Sequence, residues 1–206
     1  MHAAEYLAFL VGEIHSTVVA TVDEAGLPVT CVIDMMHSDE NGLYFLTARG
    51  KPFYRRLSDQ GILALSGFKG ADTMHCAAIS LRGSVRECGD ALLPLLFAKN
   101  PYMHTIYPTA ESRRTLTVFQ IYEGSGEWFD LSKSPIERDS FTFGGAEAHR
   151  EGYAVTDACI GCGTCLPVCP QRCIAMENGR AAIAQAHCLH CGSCADVCPV
   201  SAVVRL

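Results

Sequence analysis

Nine of the twelve cysteines in this 206-residue chain fall between positions 159 and 198. They form two copies of one pattern, "CIGCGTCLPVCP" (159–170) and "CLHCGSCADVCP" (188–199), identical at seven of twelve positions and 29 residues apart. The opening stretch "MHAAEYLAFLVGEIHS" carries Glu5 and Glu13 and no basic run. It is not expected to act as an export signal, so the thiols are expected to stay reduced and to bind metal rather than pair as disulfides. Structural zinc takes four ligands as two separated pairs. Here each copy reads C-x2-C-x2-C-x3-C-P, a triplet with a remote fourth, which suits a four-iron cubane. Three thiolates on a tight loop cap three irons, and the fourth, a helical turn further on, points at the other cluster.

On this reading cluster I takes Cys159, Cys162, Cys165 and Cys198, and cluster II takes Cys188, Cys191, Cys194 and Cys169. Gly161, Gly163 and Gly192 let backbone amides approach the sulfurs, and Pro170 and Pro199 turn the chain away. The segment 152–206 resembles the bacterial-type 2[4Fe-4S] ferredoxin family, including the hairpin "CIAMENGRAAIA" with its Asn178-Gly179 turn. The resemblance implies a small two-cluster domain that moves single electrons. Cys173 has no place in the pattern and is expected as a buried thiol. His187 and His190 flank the second motif; His190 stands where ferredoxins often hold a small or apolar residue and is expected as a surface histidine, with tuning of the cluster potential as the other reading.

The elements that would position a partner for those clusters lie upstream. Leu7, Leu10, Val11 and Ile14 recur at helical spacing. The strand patterns "STVVATV", "LPVTCVIDMM", "LYFLTA", "ILALSGF", "CAAISLRGSVREC" and "TLTVFQIYEGSGEWFDL" follow, with helix expected over roughly 89–114. Asn41-Gly42 marks a hairpin. Hairpin links and the lack of G-x-G-x-x-G argue against a dinucleotide-binding α/β domain. The expected fold is mainly β with α: a six-stranded antiparallel split β-barrel with flanking helices over 1–140, a Gly-containing linker over 141–151, and the small ferredoxin-like two-cluster domain over 152–206.

A second group of residues with chemical potential is the basic stretch "YFLTARGKPFYRRL" (44–57), which sets Arg49, Lys51, Arg55 and Arg56 in a chain of net charge -6. That overall balance argues against nucleic acid as a partner. Two segments in order, A-T-x-x-x-x-G-x-P (20–28) and strand-T-x-x-x-K ending at Lys51, resemble the pyridoxamine 5'-phosphate oxidase-like, FMN-binding split-barrel family over about residues 5–135. The resemblance implies that Thr47, Ala48, Arg49 and Lys51 cradle the FMN phosphate. Pro52 would start a helix whose N-terminus adds donors and positive dipole, and Arg55 would support Lys51 from the same face. Arg56 is expected to be a surface residue. Thr30 and Cys31 would run beside the isoalloxazine ring, with Cys31's side chain filling the core, and Trp128 would contact the ring or pack in the core. The resemblance also implies a homodimer with both subunits lining each flavin, the second wall coming from 82–86 or 102–107. His104 reads as a packing residue, with a proton donor as the other reading, and no catalytic residue is assigned. "DLSKSPIERDSF" replaces the R-x-H and R-L-x-P segments that serve the family's pyridoxal substrate, so vitamin B6 oxidation is not implied.

Together these readings predict a cytoplasmic, anaerobe-type flavin/iron–sulfur oxidoreductase. It would pass electrons between two [4Fe-4S] clusters and FMN, and exchange them with an external redox partner protein or a small-molecule acceptor. The alternative is a non-enzymatic electron carrier or redox subunit of a larger complex; haem or a deazaflavin in place of FMN is a third reading. No run of 18 apolar residues is present, so no membrane span is expected.

Overall fold

The computed structural model describes residues 2–148 and 151–206. Helix α1 (Ala3–Phe9) runs into a π-helical turn over Leu10–Ile14, which carries the expected helical spacing and buries Tyr6, Leu7 and Leu10. The chain then forms β1 (Ser16–Val22), β2 (Pro28–Asp34), β3 (His37–Asp39) and β4 (Gly42–Ala48), then α2 (Pro52–Gln60), β5 (Ile62–Gly70) and β6 (Cys76–Gly89). Three short helices, α3 (Leu93–Lys99), α4 (Met103–Ile106) and α5 (Ala110–Arg113), precede β7 (Leu116–Asp130) and β8 (Glu137–Phe143).

All these strands join one antiparallel sheet in the order β2-β1-β5-β6-β7-β4-β3, with β8 paired to β7. The six expected strands are present, extended by β3 and β8. β8 takes residues 137–143, so the first part of the expected linker is strand; His149 and Arg150 of that linker lie outside the described residues. The long β7 closes the barrel because it changes partners along its length: Leu116–Ile121 pair with β4, and Gly124–Asp130 pair with β8.

Alternation along the strands decides which side chains go inside. In β1, Thr17, Val19 and Thr21 are buried while Ser16, Val18 and Val22 face out. The inward residues of β1, β4, β5, β6 and β7 meet α1 and α2 in one core centred on Val19, Phe45, Leu65, Ile79 and Phe119. A second core lies under α3 and α4, where Leu96, Phe97 and Met103 cover Tyr44, Leu116 and Val118. The outer face of β2-β1-β5 stays apolar and uncovered in the single chain: Val32 is 67% exposed, Ile62 53% and Phe68 69%.

The remainder forms a small ferredoxin-like domain. β9 (Tyr153–Val155) pairs with β12 (Val203–Arg205), and β10 (Ile174–Glu177) pairs with β11 (Arg180–Ile183) across the expected Asn178-Gly179 turn. A single helical turn, α6 (Ser193–Asp196), carries Cys194, the last cysteine of the second triplet. Among the described residues no helix is long and apolar enough to cross a membrane.

Candidate functional site

The cysteines of the two motifs lie in two neighbourhoods of the small domain. Burial pushes the Cys165 thiol up, and Cys162, Cys159 and Cys198 add to the rise. Cys169, Cys188, Cys191 and Cys194 line one small cavity with Tyr153 and Ile183. Among the described residues, no three His, Cys, Asp or Glu side chains converge on a single-ion site. Tight loops bring donors to the sulfurs: Ala202 N–H lies 3.2 Å from Cys198 Sγ, and His190 N–H 3.4 Å from Cys188 Sγ. Hydroxyls occupy matching places, Thr164 3.2 Å from Cys162 Sγ and Ser193 3.5 Å from Cys191 Sγ. This pair was missed in the sequence although both motifs carry it two residues after their second cysteine.

Gly161 shows why the first loop needs glycine. Its φ is +70°, and a Cβ there would collide with the Gly179 carbonyl oxygen. The matching position in the second loop is His190, which takes φ 55° despite its side chain. His190 is half-buried rather than at the surface: a Cβ on Gly152 would meet its ring nitrogen at 2.8 Å. Burial and then the Arg138 guanidinium hold its pKa below the usual range. His187 is also tied down, its Nδ1 2.7 Å from the Ile136 carbonyl oxygen. Cys173 is buried as expected, and it joins the cavity of the second set with its sulfur 3.5 Å from Cys169 Sγ.

The basic stretch divides. Arg49, expected in the cradle, is engaged by the neighbouring strands: its N–H bonds the Thr115 carbonyl, and its guanidinium donates to the Leu116 carbonyl at 2.9 Å and pairs with Glu87 at 3.4 Å. Burial raises the Glu87 carboxyl, but the Thr117 and Tyr54 hydroxyls and Arg49 overcome it, leaving a net lowering. Arg55 is exposed. Arg56, expected as a surface residue, is instead partly buried and donates from Nε to Thr21 Oγ1 at 2.7 Å. Ala48 packs its methyl group on the helical cap, and its carbonyl accepts from Lys51 N–H.

Lys51 and Arg56 act on Cys31, and Thr47 lies near the end of β4, four residues before Lys51. Burial pushes the Cys31 thiol up, and Arg56 and Lys51 both pull against it, which puts the two cations beside one side chain. Thr47 is 2% exposed, and its hydroxyl has no hydrogen-bond partner. The nine-residue α2 begins at Pro52 with no side-chain cap on its free N–H groups. An orphaned hydroxyl, two cations and an uncapped helix start are the donor set that a phosphate monoester requires, so these residues fit the FMN phosphate.

Thr30 lies on the opposite face of β2 from Cys31, because successive side chains alternate. It lines a groove of about 640 Å³ across the outer sheet face with Val18, Ala64, Arg82, Ser125 and Glu127. Trp128, expected to contact the ring or to pack in the core, packs in the core: it is 8% exposed, edge-on to Phe9 at 4.9 Å and tilted against Tyr6 at 5.6 Å. His104 stacks edge-on against Phe97, with Nδ1 2.9 Å from Arg113, as a packing residue does.

Fold and thiol sets define an iron–sulfur protein built on a split barrel. Residues 158–202 match the 4Fe-4S dicluster domain family. The barrel is similar in fold to a NimC/NimA family protein from Clostridium acetobutylicum, with TM-score 0.56 and 19% identity over 68% of this chain and 90% of that one. It is also similar to a heme binding protein from Mycobacterium smegmatis (TM-score 0.53, 14% identity, 69% of this chain and 58% of that one). A third likeness is to a protein related to general stress protein 26 of B. subtilis, of the pyridoxinephosphate oxidase family, from Clostridium acetobutylicum (TM-score 0.51, 19% identity, 67% and 94%). At such identities the likeness is one of fold. No curated protein matches the chain in sequence.

Proposed function

We propose that this chain is a flavin/iron–sulfur oxidoreductase, in which residues 1–140 hold FMN and residues 152–206 hold two [4Fe-4S] clusters. The observation that carries the reading is the orphaned, buried Thr47 hydroxyl beside an uncapped helix start and two cations, on the same chain as a dicluster domain. When bound, FMN exchanges two electrons with an organic substrate and single electrons with iron–sulfur centres. The chain's own residues do the rest. Lys51 and Arg56 neutralise the phosphate, and Thr47 donates to it. Thr30 and the outer groove present a mostly apolar wall for a planar ring.

The uncovered Val32, Ile62 and Phe68 support a homodimer through the outer sheet face. Such a pairing would roof the groove and exclude water from it. The electron donor is an external redox protein or small molecule, in an anaerobe's cytoplasm, and the substrate is a small organic compound.

The test is spectroscopic. Protein purified without oxygen should show flavin absorption with a broad iron–sulfur shoulder, release FMN on denaturation, and contain iron and acid-labile sulfide for two clusters. A Soret band, or colourless protein holding zinc, overturns the reading.

A further inference from the structure

The two cysteine loops are not equivalent toward the barrel. Hydrogen bonds of the first motif stay within the small domain: Cys159 N–H to Thr156, Cys162 to Thr164, Leu166 N–H to Gly163. Its Cys162 and Ile160 are exposed, Ile160 at 66%. The second motif is clamped to the barrel. Arg138, on β8, donates from Nη1 to the Cys188 carbonyl at 3.2 Å and from Nη2 to Glu127 at 3.2 Å. Its side chain is 19% exposed, and its guanidinium lies 5.2 Å from the centre of the Phe129 ring. The His187 ring bonds the Ile136 carbonyl just ahead of β8.

Glu127 also lines the outer groove, together with Ser140 of β8 and Glu151. One ion pair therefore has the groove on one side and the backbone of a cluster II cysteine on the other.

We propose that Arg138 is a positioning residue that docks the cluster II loop against the barrel and, with Glu127, sets cluster II apart in potential from cluster I. The inference rests on reading 188–194 as a cluster-binding loop. The sign follows from charge. A reduced cluster carries one more negative charge than the oxidised one, so a guanidinium at Cys188 favours reduction and the Glu127 carboxylate opposes it. Cluster II thus lies at the barrel, while cluster I keeps its exposed edge for an external one-electron donor.

The strain at His190 agrees with this assignment. A non-glycine residue in the left-handed region costs free energy, and such positions are retained where surroundings over-determine them. Here the surroundings are Gly152 and Arg138, both at the junction.

The experiment is a redox titration of the anaerobic full-length protein, followed by electron paramagnetic resonance, on wild type, Arg138→Gln, Arg138→Lys and Glu127→Gln. Arg138→Gln should lower the midpoint of one cluster and leave the other in place. Glu127→Gln should raise that same midpoint, and Arg138→Lys should return it toward wild type. The shift in Arg138→Gln should persist when Cys162→Ser has removed a cluster I ligand. Opposite shifts from two partners of one ion pair are not produced by loosening of the fold. Equal movement of both clusters, the same sign for Arg138→Gln and Glu127→Gln, or no movement overturns the proposal alone. A wild-type protein without iron overturns it together with the cluster reading.

Discussion

The barrel and the cysteine-rich segment hold their shape by different means. Among the described residues, the main barrel core buries eighteen side chains, including Tyr6, Phe45, Phe119 and Trp128. The core of the small domain has seven, and four of them are cysteines. About fifty residues with strands of three or four cannot bury enough apolar surface to offset their ordering entropy. Bonds between thiolates and iron would supply the difference, whereas the barrel has a large apolar core of its own.

The sharpest way to break that contrast is to remove iron. Chelation under mild denaturing conditions, or Cys188→Ala, should abolish protease resistance across 152–206 while leaving the barrel's strand signal by circular dichroism intact. Loss of both together would mean that the barrel depends on the clusters. A core substitution should do the reverse. Trp128→Ala should cost the barrel about 3–5 kcal/mol of stability against denaturant, and iron content at low denaturant should not change.

The cradle gives a smaller effect. Arg56→Ala should weaken FMN binding about tenfold, the scale of one charge-assisted hydrogen bond, with iron retained; Lys51→Ala should act alike. Arg49→Ala should instead lower barrel stability through Glu87 and leave FMN affinity near wild type. If Arg49→Ala is the variant that loses flavin, the assignment made from the geometry fails.

How legible these features were depends on what fixes them. Cubane chemistry dictates cysteine spacing, so both cysteine runs and the hairpin between them stand in the sequence. Alternation gave the strands, and Asn41-Gly42 gave one hairpin. The choice among the arginines was harder. At about 100° per residue, Arg55 falls about 180° from the midpoint of the buried Phe53 and Leu57, while Arg56 falls on the flank, about 80° away. That signal was present in the sequence and was outweighed by the pairing of Arg55 with Lys51. Arg49 was not legible at all. Its direction follows from the β4–β7 ladder, which joins residues almost seventy apart. The docking of the second motif on β8 likewise depends on contacts about fifty residues apart in sequence, Arg138 to Cys188.

The smallest effect expected is a pH response confined to the barrel. Asp34 closes β2 by accepting hydrogen bonds from Ser16 Oγ and Tyr102 Oη, both at 2.6 Å, with His15 3.5 Å away. Burial raises its carboxyl, but the two hydroxyls and His15 outweigh burial, and the net shift is downward. A carboxyl held below its unfolded value of about 3.9 adds stability that is fully present above that pH. The contribution is lost as pH falls through the lower folded value. Because Asp34 is about one-third exposed, solvent screening limits the gain to a few tenths of a kcal/mol. Tyr102→Phe should therefore destabilise the barrel slightly near neutral pH, and the difference from wild type should shrink as pH drops below about 3.9. The chain's single tryptophan, Trp128, sits in the barrel core and reports this unfolding without interference from the small domain. A difference that stays constant with pH would show that Tyr102 contributes by packing alone. It would leave the chelator, and not acid, as the treatment that tells the two halves apart.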